Sequence, residues 1–337
     1  MPQQFLLTHR HAPGDTVVLT ALFRDIKRAY PDIEIGFWGH ARDLLQNNPY
    51  LTHFPTDQDG LPRDKKIKSL RMCYRDGLRR QNHETCHFVA EFHRNFKKQT
   101  GLFVPVTEPY PDLHLSEWEK STPIVEGRYW CFLSGGKSDF TAKVWSTANW
   151  QMLINELRGY GIPMVQFGAS NRGHWHPQID GVLNLVGRTN LRDMLRLIYH
   201  ADGVVCGVTA SMHIAAALQK PCVVIAGGRE AWHWECYAPE NSGLSCPERL
   251  RVPHRYLHTI GLLPCCATRG CWRSKVIPLN DDTSICKLPI ITPGQAVPKC
   301  LEMITHLDVA TAVMSYYLDG TLPPIPRMDA SNVLQSS

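Results

Sequence analysis

The sequence predicts an α/β protein: two doubly wound domains with parallel sheets, facing each other across a cleft. Three observations predict it. Strand-like and helix-like segments alternate in two separate runs, the pattern of parallel sheets with helices on both faces. A Pro-rich polar stretch, "PVTEPYPDLHLSEWEKSTP" at 105–123, parts the two runs as a linker would. The chain has 337 residues, 43% hydrophobic and 20% charged, enough for two cores of ordinary composition.

The first domain is expected over 1–120. "QFLLTH" reads as a strand and "GDTVVLTALFRDIKRAY" as a helix with Val18, Leu22 and Ile26 on one face. "IEIGFWG" is the next strand and "ARDLLQNNP" the next helix. Phe88, Phe92 and Phe96 then repeat at helical spacing, a core stripe rather than a binding surface. The second domain is expected over 121–305. Its strands are "RYWCFLSGG", "PMVQFGA", "GVLNLVG", "DGVVCGV" and "PCVVIAGG", with helices "WSTANWQMLINELRGYG", "NLRDMLRLIYHA" and "SMHIAAALQ" between them. A last amphipathic helix, 306–320, is expected to reach back toward the first domain. Residues 321–337 read as a flexible tail.

The net charge is +5, from 36 Lys+Arg against 31 Asp+Glu. Much of it sits in "RDKKIKSLRMCYRDGLRR", residues 63–80, read first as a solvated helix face and second as a rim for an anionic substrate. This excess gives a nucleic-acid partner little support. No uninterrupted apolar run is long enough for a membrane span, and the start of the chain lacks a signal-type pattern. A cytoplasmic protein is therefore expected, and its 12 cysteines are not expected to form a disulfide framework.

Candidate chemistry gathers at four places. Gly14-Asp15 lies between the first strand and the first helix. Gly14 allows close backbone approach, and Asp15 serves either as a helix cap or as a carboxylate projecting into the cleft. "SGGKSDFTAKVW", 134–145, offers glycines, hydroxyls, Lys137 and Lys143 to a phosphate, without the spacing of a Walker loop. "CGVTASMHIAAAL" sets Thr209, Ser211 and His213 at a helix start, where free N–H groups favour anions. Gly227, Gly228, Arg229 and Glu230 follow the last of these strands, Arg offering a planar fork to phosphate; Trp232, His233 and Trp234 are as well explained by packing. Finally, Cys266, Cys271, Cys286 and Cys300 are spaced C-x4-C-x14-C-x13-C, a set able to close a tetrahedral structural metal site. Reduced thiols in a packed loop are the competing reading, and Cys265 stands beside Cys266. The Asp281–Asp282 pair reads as loop.

The run "GDTVVLTALFRDIKRAYPDIEIGFW" followed by "ARDLLQNNPYL" resembles the ADP-heptose:lipopolysaccharide heptosyltransferases, glycosyltransferase family 9. The likeness extends over most of the chain. It implies the GT-B architecture, two Rossmann-like domains with the active site between them. It implies Asp15 as general base, and Lys143, in a Lys-x-Trp with Trp145, on the donor diphosphate. Thr209 and His213 match the family's donor loop, while Val208 and Ala210 stand where it has Asp and Gly. The cysteine segment resembles the iron finger of autotransporter heptosyltransferases, with different spacings, so structural Fe or Zn is expected there and no catalytic divalent metal.

The function expected is transfer of a sugar, with heptose the family's example, from a nucleotide-diphosphate sugar to a hydroxyl of a glycan or protein. The donor site would comprise Gly14, Lys143, Thr209, Ser211, His213, Gly228 and Arg229, the resemblance favouring an ADP-sugar and allowing a homo-oligomer. The alternative is a nucleic-acid-binding or base-modifying protein using the cysteine module and the basic run.

Overall fold

The structure is a computed structural model describing residues 3–58, 60–80, 83–171, 173–278, 283–292 and 294–325. The Asp281–Asp282 pair and residues 326–337 of the expected tail lie outside these. No helix among the described residues is long and apolar enough to cross a membrane.

The second half has the expected parallel sheet. Its six strands are Trp130–Leu133, Met164–Gln166, Leu183–Asn184, Gly203–Gly207, Cys222–Gly227 and Arg255–His258. Across the sheet they run sixth, fifth, fourth, first, second, third, all parallel. Chain direction across the sheet therefore reverses between the first and fourth strands, and a crevice opens at their carboxyl ends. Alternate side chains serve opposite faces. Trp130, Phe132, Val205, Val223 and Ile225 pack with helices Thr147–Gly159 and His306–Leu318. Tyr129, Cys131, Val204, Cys206 and Val224 pack with helices Leu191–His200 and Ala210–Ala217.

The first half departs from the doubly wound expectation. Its sheet has three parallel strands, Gln4–His9 in the centre with Glu34–Gly39 and Lys68–Arg71 beside it. Helices Pro13–Ala29 and Phe88–Thr100 share one face with Phe5 and Leu7. The other face, at Leu6, is covered by Trp38, Phe54 and Ile67, side chains from a strand end and loops rather than from a helix. The segment expected to be the second helix forms only the short turn Arg42–Leu45, and the chain after it is rich in Asn, Pro and Asp, which favour turns. The basic run is likewise not one solvated helix. Ile67 and Leu70 are buried, so 68–71 is drawn into the sheet and only Arg75–Arg80 is helical.

One apolar cluster runs through both halves, from Phe5 and Val18 to Ile214 and Trp234. Helix Pro13–Ala29 lies directly against helix Ala210–Ala217. A Cβ on Gly14 would stand 3.1 Å from Cδ2 of His213, so only glycine fits this approach without displacing a neighbour. The cleft is thus closed at its base.

Arg192 adds a polar tie. Its guanidinium meets Glu119 at 2.5 Å and 2.6 Å and donates to the His114 carbonyl at 2.7 Å. This bidentate pair holds the Glu119 carboxyl well down, to about 2. The folded pKa lies below the ordinary 4.5, so the stabilisation is complete above that value and is lost as pH falls through about 2. Arg192→Ala leaves a nearly buried carboxylate without its counter-ion, held by Ser116 alone among charged or hydroxyl partners, and is expected to cost about 3 kcal/mol in urea denaturation at neutral pH. A cost below about 1 kcal/mol would assign the pair no structural weight.

The last helix, His306–Leu318, does not turn toward the first domain. Val309, Val313 and Tyr316 are buried in the second domain's core, and Tyr316 binds the Cys222 and Pro253 carbonyls. Tyr317 accepts from the Trp130 indole. Its apolar face matches the sheet face left open beside helix Thr147–Gly159, which explains the placement.

Candidate active site

A cavity of about 300 Å³ opens at the crevice of the second sheet and is walled on its far side by the first helix. Gly14, Asp15, Lys143, Thr209, Ser211 and His213 all line it. Six of the eight residues expected at the site therefore meet there. Lys137, a less certain candidate, lines it too.

Asp15 lies in the first turn of helix Pro13–Ala29, reaching back to cap the helix and out to the cavity. Its Oδ2 accepts from the Ala12 N–H at 3.2 Å and from the Tyr74 hydroxyl at 3.1 Å, and lies 3.6 Å from His9 Nε2. Cap and cleft-facing carboxylate are therefore one residue. Burial first, and the Asp15 charge next, push the Tyr74 phenol far up, so it stays a donor.

Lys143 Nζ donates to the Val208 carbonyl at 3.1 Å and pairs with Glu230 at 2.7 Å. Burial, and then the Arg229 charge, lower its pKa to about 7. Thr209 caps helix Ala210–Ala217, yet its Oγ1 is buried without a hydrogen-bond partner. A bare helix start, an unpartnered hydroxyl and an amine on one wall suit an anion.

His213 bonds the Tyr237 hydroxyl at 2.8 Å through Nδ1, and its Nε2 lies 3.5 Å from Glu235. Glu235 was not read from the sequence. It lines the cavity from the short helix Trp232–Glu235, inside a stretch that shows no periodicity. Burial alone would raise its carboxyl, but the His213 hydrogen bond and the Lys143 and Arg229 charges outweigh that and hold it low. His176, another cavity residue missed, has neither ring nitrogen partnered, and burial and His174 lower it to about 4.

Gly228 and Arg229 are not on the cavity wall. A Cβ on Gly228 would meet Cys266 Sγ at 2.5 Å, and Arg229 donates to the Arg273 carbonyl at 2.6 Å between the rings of Phe140 and Trp272. Arg229 faces the cysteine segment and pairs with Glu230, through which it touches Lys143. Following the strand in sequence, it was expected to follow the crevice; the bulky cysteine loop turns it away.

Of the cysteines, Cys265 rather than Cys266 lines one small cavity with Cys271, Cys286 and Cys300. Cys266 is buried beside them, its thiol 3.5 Å from the Thr259 carbonyl. Among the described residues no group of three or more His, Cys, Asp or Glu side chains stands close enough to hold a metal ion. Burial pushes the thiol of Cys300 up to about 12 and raises that of Cys286.

The sequence model of glycosyltransferase family 9 (heptosyltransferase) matches residues 70–255, more than half of the chain. The chain belongs to glycosyltransferase family 9. Over 140 residues it is 27% identical to lipooligosaccharide heptosyltransferase 2 of Haemophilus influenzae, a match spanning 37% of this chain and 40% of that protein. Solved family 9 structures share its fold. A family 9 glycosyltransferase from Veillonella parvula superposes with a TM-score of 0.61 at 12% identity, over 94% of this chain and 98% of that one. Escherichia coli ADP-heptose LPS heptosyltransferase II gives 0.54 at 17%, over 95% and 100%. The iron-containing dodecameric glycosyltransferase TibC of enterotoxigenic E. coli gives 0.61 at 16%, over 94% and 76%. Family 9 membership makes the chain one of a family of transferases with a GT-B-like fold. The nucleic-acid alternative loses its footing, since the basic run on which it drew is divided between a strand and a short helix, with Arg80 paired to Glu91.

Proposed function

We propose that this family 9 protein transfers a sugar from a nucleotide-diphosphate sugar to a hydroxyl acceptor, with Asp15 as general base. The observation that carries this reading is one cavity with a cleft-facing carboxylate on one wall and the anion-suited group of Lys143, Thr209 and the helix 210–217 start on the other. The acceptor O–H gives its proton to the Asp15 carboxylate while the oxygen bonds to the anomeric carbon, and the bond from that carbon to the diphosphate breaks. Lys143 and the helix-start N–H groups meet the negative charge that grows on the departing diphosphate. ADP is the favoured nucleotide and heptose the favoured sugar, since relatives of this fold include an ADP-heptose LPS heptosyltransferase.

The acceptor is read to enter beside Asp15, where a second cavity of about 360 Å³ is lined by His9, Arg10, His11 and Arg71. A glycan or a protein hydroxyl would serve equally for the chemistry. The test is a panel of ADP-, UDP- and GDP-sugars, ADP-heptose among them, followed by calorimetry for binding and by nucleotide release for turnover. ADP-sugar binding that ADP itself competes away is the expected result. Absence of binding by every donor would overturn the reading.

For structural iron or zinc the proposed ligands are the four thiols lining one small cavity, Cys265, Cys271, Cys286 and Cys300, which would have to draw together from their present spacing to close on an ion. Four thiols are a donor set suited to tetrahedral closure, and the neighbouring Arg229, Arg273 and Lys287 would offset the charge of four thiolates. TibC, which shares the fold, is iron-containing. The same relative is dodecameric, and self-association of this chain belongs to the same proposal. Metal analysis of purified protein is expected to find one equivalent, lost in Cys265→Ser and kept in Cys266→Ser. The opposite pattern would restore Cys266 as the ligand.

A further inference from the structure

His9 ends the first strand beneath Asp15 and is 1% exposed. Its Nδ1 lies 3.1 Å from the Met72 carbonyl oxygen, an atom that can only accept, so Nδ1 carries a proton. Nε2 is left without a hydrogen bond, buried, and 3.6 Å from Asp15 Oδ2. In neutral His9 that nitrogen presents a lone pair to a carboxylate. In the resting site these two lone pairs meet with no proton between them, so a proton delivered to the carboxylate during turnover has an acceptor 3.6 Å away.

The other contacts of Asp15 cannot take a proton from it. The Ala12 N–H and the Tyr74 hydroxyl both donate to Oδ2. These contacts all fall on Oδ2, and Oδ1 has no hydrogen bond among the described residues.

We propose that His9 acts through Asp15, receiving on Nε2 the proton that the carboxylate takes from the acceptor. This rests on the reading of Asp15 as general base. The acceptor O–H bond breaks, its electron pair forms the new bond to the anomeric carbon, and the proton goes to Asp15. The bond to the diphosphate breaks with its electron pair on the leaving group. A half-turn about Cβ–Cγ brings the protonated oxygen to His9, whose Nε2 takes the proton and later gives it to water. Asp15 returns to its ionised form. His9 is the positioning partner of the base, held by Met72 so that its lone pair points the right way.

Aromatic and charged groups surround His9. His11, 4.8 Å away between ring centroids, and Tyr74 flank the ring. Arg71 and Arg75 add positive charge near His11, and Glu235 adds negative charge near Tyr74. Asp15 is the carboxylate in contact.

The experiment compares wild type, His9→Asn and Asp15→Asn as full chains. ADP release from ADP-heptose, with water as acceptor, is followed over roughly pH 5–9, where an imidazole titrates. ADP affinity is measured beside it. His9→Asn should lower kcat about tenfold or more, alter the pH dependence of kcat, and leave ADP affinity within about twofold. A wild-type profile retained in His9→Asn, with ADP affinity intact, overturns the proposal. Where Asp15→Asn loses turnover and His9→Asn does not, the relay fails and the base reading stands. Where Asp15→Asn turns over normally, both fail. Should His9→Asn lose ADP binding, His9→Gln is read by the same criteria. Ring NMR of labelled histidine needs no turnover. The Nε2 resonance of His9 should move in Asp15→Asn, because the carboxylate 3.6 Å away is gone. An unmoved resonance overturns the contact whatever the kinetics give.

Discussion

Asp15→Asn is expected to lower kcat by about 10²–10⁴-fold while leaving donor affinity within about twofold. The substitution isolates the chemistry. An asparagine side chain has the same shape, and its carbonyl oxygen can still accept from the Ala12 N–H and the Tyr74 hydroxyl that hold Oδ2. It cannot accept a proton at the position facing the cavity. The proposed donor contacts, through Lys143 and the start of helix Ala210–Ala217, lie on the opposite wall and are untouched. The measurement is single-turnover and steady-state nucleotide release at saturating donor. A variant within about threefold of wild type would remove Asp15 from the chemistry and leave it as a helix cap alone. A variant that loses affinity and rate together would make it a binding residue.

The second large effect is expected at Lys143. Replacing it with Gln should weaken nucleotide-diphosphate binding by about 10–100-fold, the equivalent of one charge-assisted hydrogen bond. Its pKa of about 7 adds a pH dependence. Below that value the amine is already charged and the phosphate meets a cation. Above it, binding must first draw a proton from solvent, so affinity falls as pH rises through about 7 and beyond. Calorimetry in two buffers of different ionisation enthalpy at pH 8 should register proton uptake in wild type and none in Lys143→Gln. Equal affinity of the two proteins across the range would take the lysine off the phosphate. The ion pair with Glu230 matters here, because the amine must exchange a buried carboxylate for the incoming diphosphate.

The second domain was legible because its strands are buried on both faces. Alternating residues such as Tyr129 and Trp130, or Val204 and Val205, went to opposite cores while the whole run stayed apolar. Asp15, Lys143 and Thr209 were legible because each sits in the few residues joining a strand to a helix, where crevices form in such sheets. The third strand of the first sheet was hidden. Leu70 is its one apolar residue, flanked by Lys68, Ser69 and Arg71, and an edge strand with charged outer residues reads like a solvated helix. Glu235 was hidden for another reason. Its role depends on His213 and Lys143, which lie far away in sequence and meet it only through packing. Adjacent cysteines posed a related problem, since spacing cannot say which of Cys265 and Cys266 lines a cavity with the other three; in the structure Cys265 does.

The close seating of Gly14 on His213 has one more consequence. Enzymes built from two lobes commonly bring their reacting groups together by closing, and part of the substrate's binding energy is then absorbed by that motion. Here the helix bearing Asp15 and the helix whose start is proposed for phosphate are in direct contact, with apolar side chains continuous beneath them. On that reading, the separation between proton acceptor and leaving group is set by this packing. Donor and acceptor would enter a frame whose translational and rotational cost was met during folding, and little of their affinity would be diverted into moving the lobes.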